Sequence, residues 1–182
     1  MRVPLYRQLE SSDCGPACIR MVSAYYGKAY RMKTLKALCH LTRIGISIRD
    51  VVGCCEAIGF EAACVNLGRT EVRRMPLPAI LYLRHGHFVV LEKVRAGRSG
   101  TLYTLLDPAY GRVCLPEEKL AEKWLVAGKG VAVVMSPKPD FRKINPEREG
   151  EERRGGMAGV VTGMMRKYLS LIHISEPTRR RG

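Results

Sequence analysis

The sequence has no apolar run of the roughly 18 residues that a membrane-crossing helix needs. Its best candidate, Met157 to Met165, stops at Arg166-Lys167. No secretory leader is expected either, because Gln, Glu, Ser and Asp stand where an apolar core would sit. There is no G-x-x-x-x-G-K-[ST] loop, and the GKG at 128–130 is not one, so ATP binding is not credited to this chain. The basic runs, such as Arg73-Arg74 and Arg153-Arg154, are short and lack interleaved aromatics. The net charge of +14 is spread along the chain, which argues against nucleic acid as a partner and suits a surface near anionic lipids. Paired Cys-x-x-Cys ligands are missing, so zinc is not expected. An odd count of 7 cysteines and no leader point to a reducing compartment without a disulfide framework. Aromatics are few, with 3 Phe and 1 Trp, but 8 Tyr and many aliphatics are enough for a core.

What remains reads as one domain with a tail. Residues 1–12 read as an extended lead-in. Asp13 is a candidate cap for a helix from Cys14 to Tyr26, stopped by Gly27. A second helix is predicted over Lys33 to Leu41. A third starts at Ser47, with Asp50 three residues on as a capping-box partner, and ends at Gly59. The period then changes. Ala62–Leu67, Ala79–Leu83, Phe88–Val94, Thr101–Leu106, Gly111–Leu115 and Val131–Met135 are short β-branched runs. Arg95 to Gly100 is predicted to be a hairpin loop, and Pro116 to Trp124 a short helix. Helices first and an antiparallel sheet afterwards make an α+β fold. The domain is predicted to span 1–138, with Ser136 to Asp140 as linker and 139–168 as a charged connection. Within 169–182, SLIHISEPTR resembles a translated sequencing adapter; that tail is left out of the fold reading, and the natural chain is expected to be cut short there.

The chemistry centres on Cys14. Only a thiolate attacks, and a helix N-terminus lowers a thiol's pKa. Cys14 opens the first helix, whereas Cys18 falls on its apolar stripe and reads as core. Most of the cysteines also read as small buried hydrophobes. Gly15 is expected to let a substrate backbone approach. A cysteine nucleophile needs a base held by a third group. His87 precedes a strand, and Asp107 ends the next, so strand pairing could bring them together. His85 is a rival base, since Gly86 between them leaves either orientation open. Gln8, just before the nucleophile, can give a side-chain amide to an oxyanion, with the Cys14 backbone N–H as second donor.

The ordered motifs QLESSDCGPACIRMVSAYYG, GHFVVLEKV and LLDPAYGRV resemble the C39 peptidase domain of peptidase-containing ABC transporters over about residues 4–137. The resemblance implies a papain-like cysteine protease fold, with N-terminal helices packed on an antiparallel β-sheet. It implies Cys14 as nucleophile, His87 as base, Asp107 as its orienter and Gln8 in the oxyanion hole. It also implies cleavage of a precursor's leader peptide after Gly-Gly, coupled to export of bacteriocin-like cargo. The peptidase domain is expected to need no cofactor, with ATP used only in a nucleotide-binding domain not present here. Expected partners are the Gly-Gly leader precursor and the transporter's transmembrane and nucleotide-binding domains, with dimerisation only in the full transporter. The implied location is the cytoplasmic face of the bacterial inner membrane, this piece alone being soluble. A non-proteolytic leader-binding module is the alternative, and the presence of Cys14 argues against it.

Overall fold

The structure is a computed structural model that describes residues 2–40, 45–98 and 100–144. A 3-10 turn at Ser11–Asp13 leads into α1 (Cys14–Tyr25), followed by α2 (Met32–Leu38) and α3 (Ile48–Ala57). Then come β1 (Phe60–Leu67), β2 (Ala79–Leu83), β3 (His87–Gly97), β4 (Gly100–Asp107), β5 (Gly111–Pro116), α4 (Glu117–Trp124) and β6 (Gly130–Pro137). The strands form one antiparallel sheet in the order β1-β6-β2-β3-β4-β5. The predicted α+β layout holds, with most boundaries shifted by a residue or two.

Local signals explain the helix ends. Gly27 has φ +101°, its N–H bonds to Ala24 O, and the Lys28 N–H bonds to Ser23 O, a Schellman closure of α1. Ser47 Oγ accepts the Asp50 N–H at 3.2 Å while Asp50 takes the Ser47 N–H, the capping box expected at α3. Asp13 departs from expectation. Its backbone is already helical (φ −83°, ψ −1°) because the 3-10 turn runs straight into α1. The carboxylate therefore turns back, accepting the Glu10 N–H at 3.3 Å and pairing with Lys36 at 2.7 Å, and does not cap α1.

Alternation along the strands sorts the core into two faces. Phe60, Ile80, Phe88, Val90, Leu106, Val133 and Met135 meet α1 to α3. Leu67, Leu81, Val89, Leu91, Tyr103, Leu105 and Val134 face the other way, under Leu120 and Trp124 of α4. The Trp124 ring lies directly over Gly130, and its Nε1 donates to Val131 O at 2.7 Å. A bulge at Glu92 interrupts the β3–β4 register, since Leu91 pairs with Leu105 and Lys93 with Thr104.

Two further expectations change. Pairing of β3 with β4 continues to Gly97 and Gly100, so the hairpin loop is tighter than Arg95 to Gly100; polarity there marks exposure, not the end of the ladder. Cys18, Cys39, Cys54 and Cys55 are buried, in line with the expectation for most cysteines, and Cys64 and Cys114 are exposed. The helical layer covers Phe60 and Ala62 of β1 and stops short of Cys64. Finally, the chain does not leave the domain at Lys138. Ser136 and Pro137 belong to β6, the Lys138 N–H bonds to Gly59 O, and Phe141 is buried against Phe60 with ring centroids 4.5 Å apart. Lys28 Nζ then holds Ile144 O at 2.6 Å. The predicted helix end at Leu41, the Met157–Met165 run and residues 145–182 lie outside the described residues. No helix among the described residues is long and apolar enough to cross a membrane.

Candidate active site

Cys14 is the first residue of α1 and 7% exposed, at the rim of the core and not sealed within it. His87 opens β3, which packs against α1, and the imidazole draws the Cys14 thiol's pKa down. Asp107 closes β4, the strand paired with β3, and its Oδ1 lies 2.8 Å from His87 Nε2. The same Oδ1 accepts the N–H groups of Ala109 (2.8 Å) and Tyr110 (3.3 Å). Asp107 is therefore the turn-former that its position before Pro108 suggests and also the partner of His87. The rival His85 sits exposed in the β2–β3 turn, and His87 is the one that Asp107 holds. Gly86 has φ +75° with its N–H on Leu83 O, so it supplies a left-handed turn that aims His87.

The electrostatics single out one thiol. Burial pulls the Cys14 pKa upward, but the His87 hydrogen bond, the Phe88 backbone N–H, the His87 charge and the Gly15 N–H outweigh it, and the net shift is downward. By contrast, burial pushes the Cys18 and Cys55 thiols well up. Hydrogen bonding to Asp107 and then to Cys14 raises His87 to about 9. Burial would raise Asp107, but His87 and the Ala109 and Tyr110 amides bring it below the usual carboxylate range. Near neutral pH these directions favour a thiolate–imidazolium pair with a carboxylate behind it.

Gln8 approaches from the lead-in segment. Its N–H bonds to Pro108 O at 3.0 Å, so the Gln8 backbone lies beside the turn that follows Asp107. Gln8 Oε1 is buried without a hydrogen-bond partner among the described residues.

A family model, the peptidase C39 family, matches residues 2–140. This chain belongs to the peptidase C39 family. A probable microcin secretion/processing ATP-binding protein of Escherichia coli is 31% identical over 140 residues, covering 77% of this chain and 19% of that protein. The colicin V secretion/processing ATP-binding protein of Escherichia coli is 30% identical over 141 residues, 78% of this chain and 19% of the relative. The C39 chain thus spans about a fifth of the length of these relatives. Among solved structures, a double glycine motif protease from an AMS/PCAT transporter, in complex with a leader peptide, matches with TM-score 0.68 and 26% identity. That match covers 75% of this chain and 94% of the other. The peptidase domain of Streptococcus ComA shares the fold, with TM-score 0.65 and 20% identity over 75% of this chain and 99% of that one. The papain-like fold and the cysteine-peptidase class follow.

Two features of the C39 site were not legible beforehand. The Phe88 backbone N–H helps to lower the Cys14 thiol's pKa, and a backbone donor leaves no mark in side-chain identity. Gly15 also serves packing: a Cβ there would sit 2.3 Å from Ile46 Cδ1. Among the described residues, no group of three or more His, Cys, Asp or Glu could hold a metal ion.

Proposed function

We propose that this C39 domain is the endopeptidase that cuts a bacteriocin-like precursor after the Gly-Gly of its leader. The observation that carries the reading is the Cys14–His87–Asp107 chain, with a lowered thiol and a raised imidazole. Cys14 Sγ attacks the carbonyl carbon of the second glycine, and the π electrons move to oxygen. Gln8 Nε2 and the Cys14 N–H stabilise that oxyanion. Collapse expels the amine, which takes its proton from the His87 imidazolium, and leaves a thioester. Neutral His87 then takes a proton from water as its oxygen attacks the thioester. Collapse frees the leader acid and restores thiolate and imidazolium. All the reacting groups are the chain's own, so no cofactor enters; ATP would serve the nucleotide-binding part of an exporter. That exporter would supply the transmembrane partner, the dimer and a place at the cytoplasmic face of the membrane. The relatives' secretion/processing names and the leader-bound neighbour support this assignment.

Glycine selectivity in this reading is steric, since only a residue without Cβ enters a narrow channel beside Cys14. The test uses the full chain and precursor peptides differing at one position. Cys14→Ala is expected to abolish cleavage while keeping peptide binding. Ala in place of the last leader glycine should slow cleavage strongly, and Val or Leu should stop it. Apolar leader positions further upstream should change KM more than kcat. Efficient cutting after bulky residues would remove the Gly-Gly reading.

A further inference from the structure

The lead-in that carries Gln8 has no helix or strand of its own, as residues 2–8 are irregular. Something other than secondary structure must therefore hold it. At its start, the Val3 N–H donates to Glu92 Oε1 at 2.9 Å, and Val3 O accepts from Arg112 Nη2 at 3.0 Å. Arg112 Nη1 closes the ring on Glu92 Oε2 at 2.5 Å. Both carboxylate oxygens and two guanidinium nitrogens are thus engaged, the fork geometry that suits arginine. The pair is shielded, with side chains 10% and 22% exposed, and Val3 itself is 1% exposed in the core.

The β3 bulge makes this ring possible. Val89 and Leu91 face the α4 side, and so does Val94, which lies three positions past Leu91. Glu92 is the extra residue that flips the alternation, and bulges of this kind re-aim a side chain. At the other end of the segment, Arg7 Nη1 donates to Ala109 O at 2.6 Å, and the Gln8 N–H bonds to Pro108 O. The segment is therefore fixed five residues before Gln8 and again at Gln8 itself.

We infer that the Glu92–Arg112 pair is a positioning device for catalysis: by gripping both polar groups of Val3, it sets where the Gln8 amide meets the oxyanion. The inference rests on the oxyanion role given to Gln8 under the proposed function. Neither Glu92 nor Arg112 reaches the thiol, so each is a positioning residue. An error of about 1 Å in such a donor can lower a rate about a hundredfold. A loosened clamp with the Pro108 bond still in place should give a smaller loss.

The test measures hydrolysis of a Gly-Gly aminomethylcoumarin peptide by the full chain, alongside Cys14 alkylation by iodoacetamide. Alkylation reports the thiolate–imidazolium pair and makes no oxyanion. Glu92→Gln and Arg112→Lys are expected to lower kcat about tenfold with KM within about twofold, while the alkylation rate and its pH profile stay at wild-type values. Gln8→Ala should lower kcat further, and in that background Glu92→Gln should have almost no additional effect. If Gln8→Ala leaves kcat unchanged, the oxyanion role fails and the inference falls with it. If Gln8→Ala lowers kcat but Glu92→Gln does not, or the Glu92→Gln loss persists in full without Gln8, the clamp alone is refuted. Equal losses in alkylation and hydrolysis would show general loosening, which also overturns it.

Discussion

At the scale of the residue, a single oxygen links turn and catalysis. Asp107 Oδ1 takes two backbone amides from its own turn and the Nε2 of His87. The amides fix the carboxylate before the imidazole arrives, which is the preorganisation a base-orienting group requires. Activity needs thiolate and imidazolium together, so the pH profile should be bell-shaped. Its acid limb reports the lowered Cys14 thiol, and its alkaline limb should fall near about 9 as His87 loses its proton. Asp107→Asn removes the main cause of the His87 rise, so the alkaline limb should move down toward the ordinary 6.5. An unmoved alkaline limb in kcat/KM would deny Asp107 its part. His87→Ala should lower the cleavage rate by about 100- to 10,000-fold, against little effect for His85→Ala. The opposite ranking in the same assay would transfer the base role to His85.

At the scale of the element, glycine acts in two physically different ways. Gly27 and Gly86 supply positive φ, at a helix end and at the turn before His87. Gly15 and Gly130 supply space. A Cβ at Gly130 would fall 2.3 to 2.7 Å from three atoms of the Trp124 indole, which is held rigidly by its bond to Val131 O. Gly130→Ala should therefore destabilise by about 1–3 kcal/mol through overpacking. Gly53 is the control: it lies in α3 with nothing within 4 Å of its Cβ position, and Ala there should stabilise by about 0.5–1 kcal/mol. Urea midpoints of the two variants check both signs. A wild-type midpoint for Gly130→Ala would mean that α4 swings away from β6 without loss.

At the scale of the whole molecule, one sheet serves two cores, and the site lies where the helical layer meets the start of β3. The domain closes only after the sheet is complete. Phe141 returns to stack on Phe60, and Ile144 ends on Lys28 beyond α1. The last segment thus fastens α1, which carries Cys14, to the start of β1. Phe141→Ala should lower unfolding stability by about 3 kcal/mol, the usual loss for a buried aromatic. Ending the chain at Lys138 should do at least as much. Equal denaturation midpoints for Phe141→Ala and wild type would return the domain boundary to 138.

The sequence alone was enough for whatever depends on neighbours three or four residues apart. The Ser47–Asp50 box, the Gly27 stop and the position of Cys14 at the mouth of α1 follow from local backbone chemistry. The order of the motifs was equally plain, and with it the family. Asp13 shows where locality fails: its type and place promised a cap, but a preceding 3-10 turn and a distant Lys36 drew the carboxylate away. Likewise, the packing demand on Gly15 comes from Ile46, brought in from beyond α2, and no local pattern announces it. The choice of His87 over His85 needed the register of β3 against β4, which delivers Asp107 across 20 residues of chain. The Phe88 amide, the Glu92 bulge and the return of Phe141 belong to the same class. Each depends on which backbone groups meet across the sheet, and register is set by the packing of the whole chain, not by any one segment.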